Sequence, residues 1–348
     1  MSSRRLFRCL LTTLACLLVL AASLATWHFA QLRYAVTLCN ANNIRYTLGN
    51  PEPSELVTWL REKIGPLPFD VFTELRLYGQ VEDQDLKAIF RHAPQLTRFN
   101  CMMCNIEPET LANLDLSKAK ILAFTDSDLS SFDTSLFTKS KQLEKLFVQY
   151  CNLKDVSCEG FDELSKLNQI AIDELKAGDE AFINLCKCSK LEEMDLRLRS
   201  SRSVDFALLK SLPHLKVLNF IGFGAKVHTF AAVSETSIKD LWINRCVIDD
   251  PVIPTIAKSN CIFAGFTRCV QLQEYRHILP ISFQNKKLDH VVFSNTNVTF
   301  HDALNLILRF DVLHEIYMPH TTTRDQDFAS YSLYLISHGK ELFHSLTP

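Results

Sequence analysis

Cys101-Met102-Met103-Cys104 is a Cys-x-x-Cys pair, the spacing that serves as half of a zinc site or as a dithiol redox motif. No second pair with ligand spacing follows it, and a lone pair does not close a tetrahedral site. His290, His314 and His320, with Glu315 and Tyr317 between them, offer nitrogen and oxygen donors, but nothing in their spacing fixes a coordination geometry. The sequence holds no phosphate-binding glycine loop, no Gly-x-Ser-x-Gly elbow and no His-Glu-x-x-His. Its nine glycines in 348 residues leave little material for glycine-rich loops. No catalytic residue, metal ligand or cofactor is therefore assigned, and a non-enzymatic protein is expected. From Tyr34 onward 39 acidic residues face 33 basic ones, a balance that argues against nucleic acid as the partner.

The elements that must position these side chains follow from an internal repeat. Apolar residues recur at the first, fourth and sixth places of windows starting at Phe72, Leu96, Ala119, Leu143, Leu167, Leu191, Leu215, Ile238, Cys261, Leu288 and Leu313. These are numbered below as coils one to eleven. The windows lie 23 to 27 residues apart. Alternation within each predicts a short strand, one set of side chains inward and the other outward. The ninth place reads Gln80, Cys104, Ser127, Cys151, Leu175, Arg199, Phe223, Cys246, Cys269, Thr296 and Thr321; seven of these eleven are Cys, Ser or Thr, which can donate a proton to a carbonyl. In "AGDEAFINLCKCSKLEEM", Phe182, Leu185 and Cys186 fall at helical spacing, as do Leu86, Ile89 and Phe90 in "EDQDLKAIFRHAPQLTRF". One such unit cannot bury its apolar side, whereas stacked units can.

The pattern resembles the leucine-rich repeat family over roughly residues 72 to 321 and, with the N-terminal segment described below, bacterial membrane-anchored members of it. The resemblance implies an α/β solenoid: a leucine-rich repeat horseshoe with short parallel strands on the concave face and helical or irregular convex segments. It also implies that the ninth-place residues bond buried backbone groups in a column running from coil to coil. Both cysteines of the Cys-x-x-Cys pair then fall on inward places, six and nine of coil two, and become structural. Leu175, Arg199 and Phe223 depart from the column.

This register sets the concave surface, where places two, three, five, seven and eight face outward. The expected partner-binding residues are Asp126, Phe147, Tyr150, Asp173, Glu174, Glu193, Asp195 and Arg197 on coils three to six. Asp240, Trp242, Asn244, Arg245 and Arg268 join them on coils eight and nine. A tryptophan beside arginines has the composition of an interface hot spot, and the acidic group suits a basic partner. The expected partner is a protein or a cell-surface polymer.

Arg4, Arg5 and Arg8 precede an uncharged stretch, Cys9 to Leu32, whose most apolar part reaches Trp27. That length is near the roughly 20 residues a membrane-spanning helix needs, and the arginines place the N-terminus in the cytoplasm. The expected organisation is a signal anchor or transmembrane segment over 1–35, an N-terminal cap over 36–71, the solenoid over 72–323 and a C-terminal cap over 324–348. Within the first cap "PEPSELVTWLREKIGP" reads as a helix started by Ser54 and stopped by Gly65 and Pro66. The favoured reading is a single-pass protein with extracytoplasmic repeats, acting as a recognition scaffold; cleavage near Ser23-Leu24-Ala25 would secrete it. Twelve cysteines without disulfide-framework spacing suit an intracellular adaptor or enzyme regulator, the alternative. A purely structural envelope protein is a third possibility. Cys246 and Cys269, in neighbouring coils, could also form a bridge.

Overall fold

The structure, a computed structural model, describes residues 3–49, 71–112, 114–155, 157–175, 178–198, 203–250, 252–271, 287–294, 296, 315–317 and 341–343. It forms two compact units, Met1–Asp128 and Leu129–Pro348. In the first unit, helix Ser3–Ala41 leads into strand Arg45–Gly49, which pairs antiparallel with strand Val71–Tyr78. Strands Val71–Tyr78, Arg98–Met102 and Ile121–Thr125 then run parallel. Between the first two of these lies helix Asp83–Phe90, with Asp83 and Asp85 in its first turn and Leu86, Ile89 and Phe90 buried. Acids at a helix start and apolar residues at this spacing are what an amphipathic helix needs.

The second unit repeats the arrangement. Parallel strands stack in the order Lys145–Gln149, Gln169–Leu175, Glu193–Leu198, Val217–His228, Asp240–Ile248, Phe263–Thr267, His290–Ser294, Glu315–Tyr317 and Glu341–Phe343. Helix Gly178–Leu185, the 3-10 turns Phe206–Ser211 and Phe230–Glu235, and helix Val252–Lys258 connect them. Parallel strands need such crossovers, because a tight hairpin cannot reverse the chain twice.

The three apolar columns are the core. Every described residue at the first, fourth and sixth places is buried. The fourth-place residues Leu146, Ile170, Met194, Leu218, Leu241, Ala264, Val291 and Ile316 pair strand to strand without a slip. Behind them Phe182, Phe206, Phe230, Phe266 and Phe293 form a continuous aromatic row, neighbouring centroids 5.7 to 6.1 Å apart. Aromatic neighbours at this range add to what area burial alone contributes. Phe266 and Phe293 are the sixth-place residues of coils nine and ten, whereas Phe206 and Phe230, which no helical pattern placed, sit in short 3-10 turns that carry no long period.

The ninth-place column is a hydrogen-bonded turn. Cys104, Cys151 and Cys246 each donate from Sγ to the carbonyl two residues back, at 3.2, 3.3 and 3.2 Å, and Ser127 Oγ does so at 3.0 Å. Cys269 Sγ contacts both Thr267 O at 3.4 Å and Ile243 O of the preceding coil at 3.3 Å. The residue just before each turns the chain through a left-handed conformation: Met103, Asp126, Tyr150, Arg245 and Arg268 all have φ between 49° and 55°. A thiol suits the inner place because it is compact, apolar enough for burial and still a donor.

Coil seven corrects the expected register. Its strand spans twelve residues, and pairing with the next coil jumps from Ile221–Asn244 to Ala225–Cys246. Ala225, fully buried, stands in the column where Phe223 was expected; Phe223 is exposed. Coil five has a smaller irregularity, pairing Leu175 with Leu198. In coil seven an apolar residue thus fills the place with no ladder hydrogen bond of its own. Arg199, Thr321, the helix expected at 51–66 and most of the expected C-terminal cap lie outside the described residues.

Helix Ser3–Ala41 does not stop at the end of its apolar stretch. Leu17, Leu18, Val19, Leu20, Leu24 and Trp27 are exposed, whereas Leu32, Ala35 and Cys39 are fully buried. The last turns pack on helix Asp83–Phe90, and Asn42 Nδ2 donates to Asp85 Oδ2 at 3.0 Å. Residues after Trp27 therefore cover the first coil.

Candidate functional site on the strand face

Outward side chains of the second unit lie in three rows across the strands. Lys145, Gln169, Glu193, Val217, Asp240, Phe263 and His290 form one; Phe147, Ala171, Asp195, Asn219, Trp242 and Gly265 the middle; Arg197, Ile221 and Asn244 the third. The middle row explains the relief. The small Ala171 and the short polar Asp195 and Asn219 lie between the larger Phe147 and Trp242. A hollow of about 380 Å³ opens there, lined by Phe147, Gln149, Ala171, Glu193, Asp195, Asn219 and Trp242 among others.

Trp242 leans away from the hollow's centre across Gly265, and its ring stacks on Phe263 with centroids 4.6 Å apart and planes 29° from parallel. Phe263 in turn stacks near His290 at 6.3 Å. The result is an aromatic shelf across coils eight to ten, with the indole still 39% exposed.

Opposite it is a charged cluster. Asp173 is only 2% exposed, so the expectation that it faces a partner is corrected: Oδ2 accepts from the Tyr150 backbone N–H at 3.1 Å and Oδ1 lies 3.5 Å from Arg197 Nε. Its neighbours' longer side chains cover it, and its role is to fix the Tyr150 turn and hold Arg197. The Arg197 guanidinium also lies over the Tyr150 ring, 5.1 Å from its centroid. Although burial opposes its charge, a hydrogen bond to Tyr150 and the Asp173 and Asp195 carboxylates hold the Arg197 pKa above its ordinary value. Tyr150 remains 55% exposed.

Asp195 differs from Asp173. Burial raises its carboxyl pKa, the Asn219 hydrogen bond works the other way, and the nearby Asp173 charge raises it further against the pull of Arg197. Its Oδ1 is buried without a hydrogen-bond partner among the described residues. An unpaired buried acceptor costs on the order of 1–3 kcal/mol. Glu193 is exposed beside it.

The other expected contact residues divide by place. Asp240 and Asn244 lie on the strand face, half-buried. Arg245 and Arg268 are left-handed turn residues at the strand ends, with Arg245 4.8 Å above the Phe223 ring. Asp126, exposed at the corresponding turn, belongs to the first unit. The side chain of Glu174 lies outside the described residues. Phe263, Asn219 and Gly265 were missed; the signal available was the outward places three and five, where Gly265 next to Trp242 announces close approach.

Chemistry of other kinds finds little support. Cys101 and Cys104 are buried, Cys101 Sγ lying 3.6 Å from Ser127 Oγ. Among the described residues no cluster of His, Cys, Asp and Glu could hold a metal ion. His290 pairs with Asp289 at 3.2 Å, while His314 and His320 lie outside the described residues. Cys246 and Cys269 are free thiols.

No protein-family model matches the chain, and no curated protein matches it. Among solved structures, it is similar to an internalin from Listeria monocytogenes, with 13% identity over 85% of this chain and 95% of that one and a TM-score of 0.49. It is also similar to the leucine-rich repeat domain of APL1B, at 12% identity over 78% of this chain and 75% of that one and a TM-score of 0.44. The repeat length, the parallel register of its buried fourth-place residues and the hydrogen-bonded turns after five of the described strands give this chain the fold of a leucine-rich repeat solenoid.

Proposed function

We propose that this protein is a membrane-tethered, non-enzymatic recognition scaffold that binds another protein on the strand face between Phe147 and Trp242. The observation that carries this reading is the hollow there, with Trp242 left exposed in its lining and Tyr150 exposed just past the strand Lys145–Gln149. Large aromatics are the usual anchors of protein interfaces, and leaving them in water is otherwise unfavourable. Tethering rests on the exposed apolar run from Leu17 to Trp27. Within it Ser23 and Thr26 donate their hydroxyls back to the Val19 and Ala22 carbonyls at 2.8 Å, which satisfies both hydroxyl protons inside the helix. The arginines before it support an orientation with the repeats outside the cytoplasm.

A photo-crosslinking residue at Phe147 or Ile221, compared with one at the exposed helix position Ile183, tests the binding face in intact cells. Discrete adducts from the first two and none from the third are expected; adducts from Ile183 alone would overturn the reading. Topology is read by Ser165→Cys with a membrane-impermeant thiol reagent. Background is low because every described cysteine after the apolar stretch is buried. Labelling only after lysis would favour the intracellular adaptor that the reduced thiols suit.

A further inference from the structure

The hollow on the strand face has a charge of one sign. Among its described lining residues Glu193 and Asp195 alone are charged; Arg197, whose charge is felt at Asp195, is not part of the lining. The nearest basic group, Arg197, is committed to Asp173 and to the Tyr150 ring. Among the described residues Asp195 Oδ1 has no donor, and Trp242 is part of the lining. Phe147 and Trp242 are four strands apart, about 19 Å at ordinary strand spacing. That distance admits about six residues of extended chain at roughly 3.3 Å each.

From this geometry we infer that the hollow recognises a basic segment of the partner protein and takes a lysine or arginine side chain between Glu193, Asp195 and the Trp242 ring. A carboxylate pair held against an aromatic wall combines ion pairing, charge-assisted hydrogen bonding and cation–π attraction in one place. Apolar residues flanking the cation pack on Phe147 and on the Trp242–Phe263 shelf. Half-buried Asp195 is shielded from salt better than a fully exposed carboxylate would be. The inference rests on the strand face being the binding face, and it adds the chemistry of what binds there.

The test uses the full chain in a zwitterionic detergent with two fluorescein-labelled peptides, one alternating leucine with arginine and one alternating leucine with glutamate. Anisotropy is expected to show the arginine peptide binding and the glutamate peptide at least about tenfold weaker, a gap of about 1.4 kcal/mol. The Glu193→Gln/Asp195→Asn double variant preserves shape and is expected to lose the arginine peptide by a similar factor. Glu180→Gln, at an exposed position of helix Gly178–Leu185, is expected to change nothing. Thermal melts of each variant establish that it is folded. Ala171→Arg offers a second route, since it places a cation in the hollow and should displace the peptide while leaving the core columns intact. Equal affinity for both peptides, or equal losses in the double variant and in Glu180→Gln, overturns the inference. If crosslinks form from Phe147 and Ile221 while the arginine peptide fails, only the charge assignment falls. If crosslinks from those positions fail as well, the binding face itself is wrong.

Discussion

The indole of Trp242 occupies the space that a side chain on Gly265 would need: a β-carbon there would come within 2.4 Å of the ring. The two residues sit at the same place of neighbouring coils, paired across parallel strands. Trp242 is therefore held flat against the sheet, and its contact with Phe263 fixes its direction.

Gly265→Ala is expected to lift the indole from the sheet. The stability loss should be modest, about 1–2 kcal/mol, because the ring can swing into solvent instead of straining the core. Acrylamide quenching of the tryptophan emission is the measurement, read as a difference from the unaltered chain since Trp27 and Trp59 also emit. Increased quenching with a near-unchanged melt is the expected result; a large loss of stability without greater quenching would mean that the backbone, not the ring, gives way.

Much of this was legible in the sequence, because burial in a solenoid is periodic and periodicity survives in one chain. The first, fourth and sixth places held through every described coil, and Cys151 proved to be the turn residue its place implied. What failed was local. The two residues added to coil seven moved the column from Phe223 to Ala225, and a fixed template cannot see an insertion whose flanks are apolar too. Asp173 occupies an outward place yet is buried, since exposure there depends on how long the neighbouring side chains are. The end of the N-terminal helix was also hidden: Leu32, Ala35 and Cys39 continue an apolar stretch with the spacing of a packed face, and hydropathy averaging merges the two.

The thiol turn predicts a graded response to substitution. Cys151→Ser keeps a donor within reach of the Gln149 carbonyl, whereas Cys151→Ala removes it and leaves a small gap. The alanine variant should lose about 1–2 kcal/mol and the serine variant less. Urea melts of the two, compared at constant slope, check the order. A reversal would show that the sulfur acts by filling space.

Burial pushes the Cys186 and Cys188 thiols up to about 12 and Cys261 to about 11. At pH 8 almost none of the reactive thiolate is present, so iodoacetamide should modify these three only on unfolding. Mass spectrometry after short native exposure is the check. Rapid native labelling of Cys186 or Cys188 would place the helix Gly178–Leu185 in an opening equilibrium.

Asp195 gives a pH signature of opposite sign to a usual salt-bridged acid. Its folded pKa is raised, so its contribution favours the fold at pH values below the unfolded value and is lost as pH rises through the folded one. Glu193, Asp173, Arg197 and Asn219 surround it, and Arg197 limits the penalty. Asp195→Asn is expected to raise the melting temperature at pH 7, with the difference shrinking toward pH 4 as the native carboxyl takes up its proton. A stabilisation that does not change with pH would assign the effect to the Asn219 hydrogen bond instead. Gaining stability while losing the arginine peptide would be the expected trade for a carboxylate kept for binding.

The N-terminal helix should divide functionally near Trp27. Upstream of it the exposed apolar residues contribute nothing to the fold, so a chain beginning at Trp27 should be soluble without detergent and keep its thermal stability. Downstream, Leu32, Ala35 and Cys39 cover helix Asp83–Phe90, and strand Arg45–Gly49 closes the edge of Val71–Tyr78. Leu32→Ala should therefore cost about 2–4 kcal/mol. Stability in a solenoid is a sum over neighbouring coils, so the loss should appear locally, as faster hydrogen exchange in Val71–Tyr78. Acid should act on the same contact. Burial, together with His28 and Arg91, lowers the pKa of His92, whose ring lies 5.2 Å from that of His28. A depressed histidine favours the fold above its unfolded pKa of about 6.5 and less as pH falls below it, because only the unfolded chain accepts the proton readily. Exchange in Val71–Tyr78 should accordingly quicken between pH 7 and pH 5 by more than the intrinsic rate accounts for, and His92→Gln should flatten that dependence. No change in protection on Leu32→Ala or on acidification would mean that the helix merely rests on the first coil.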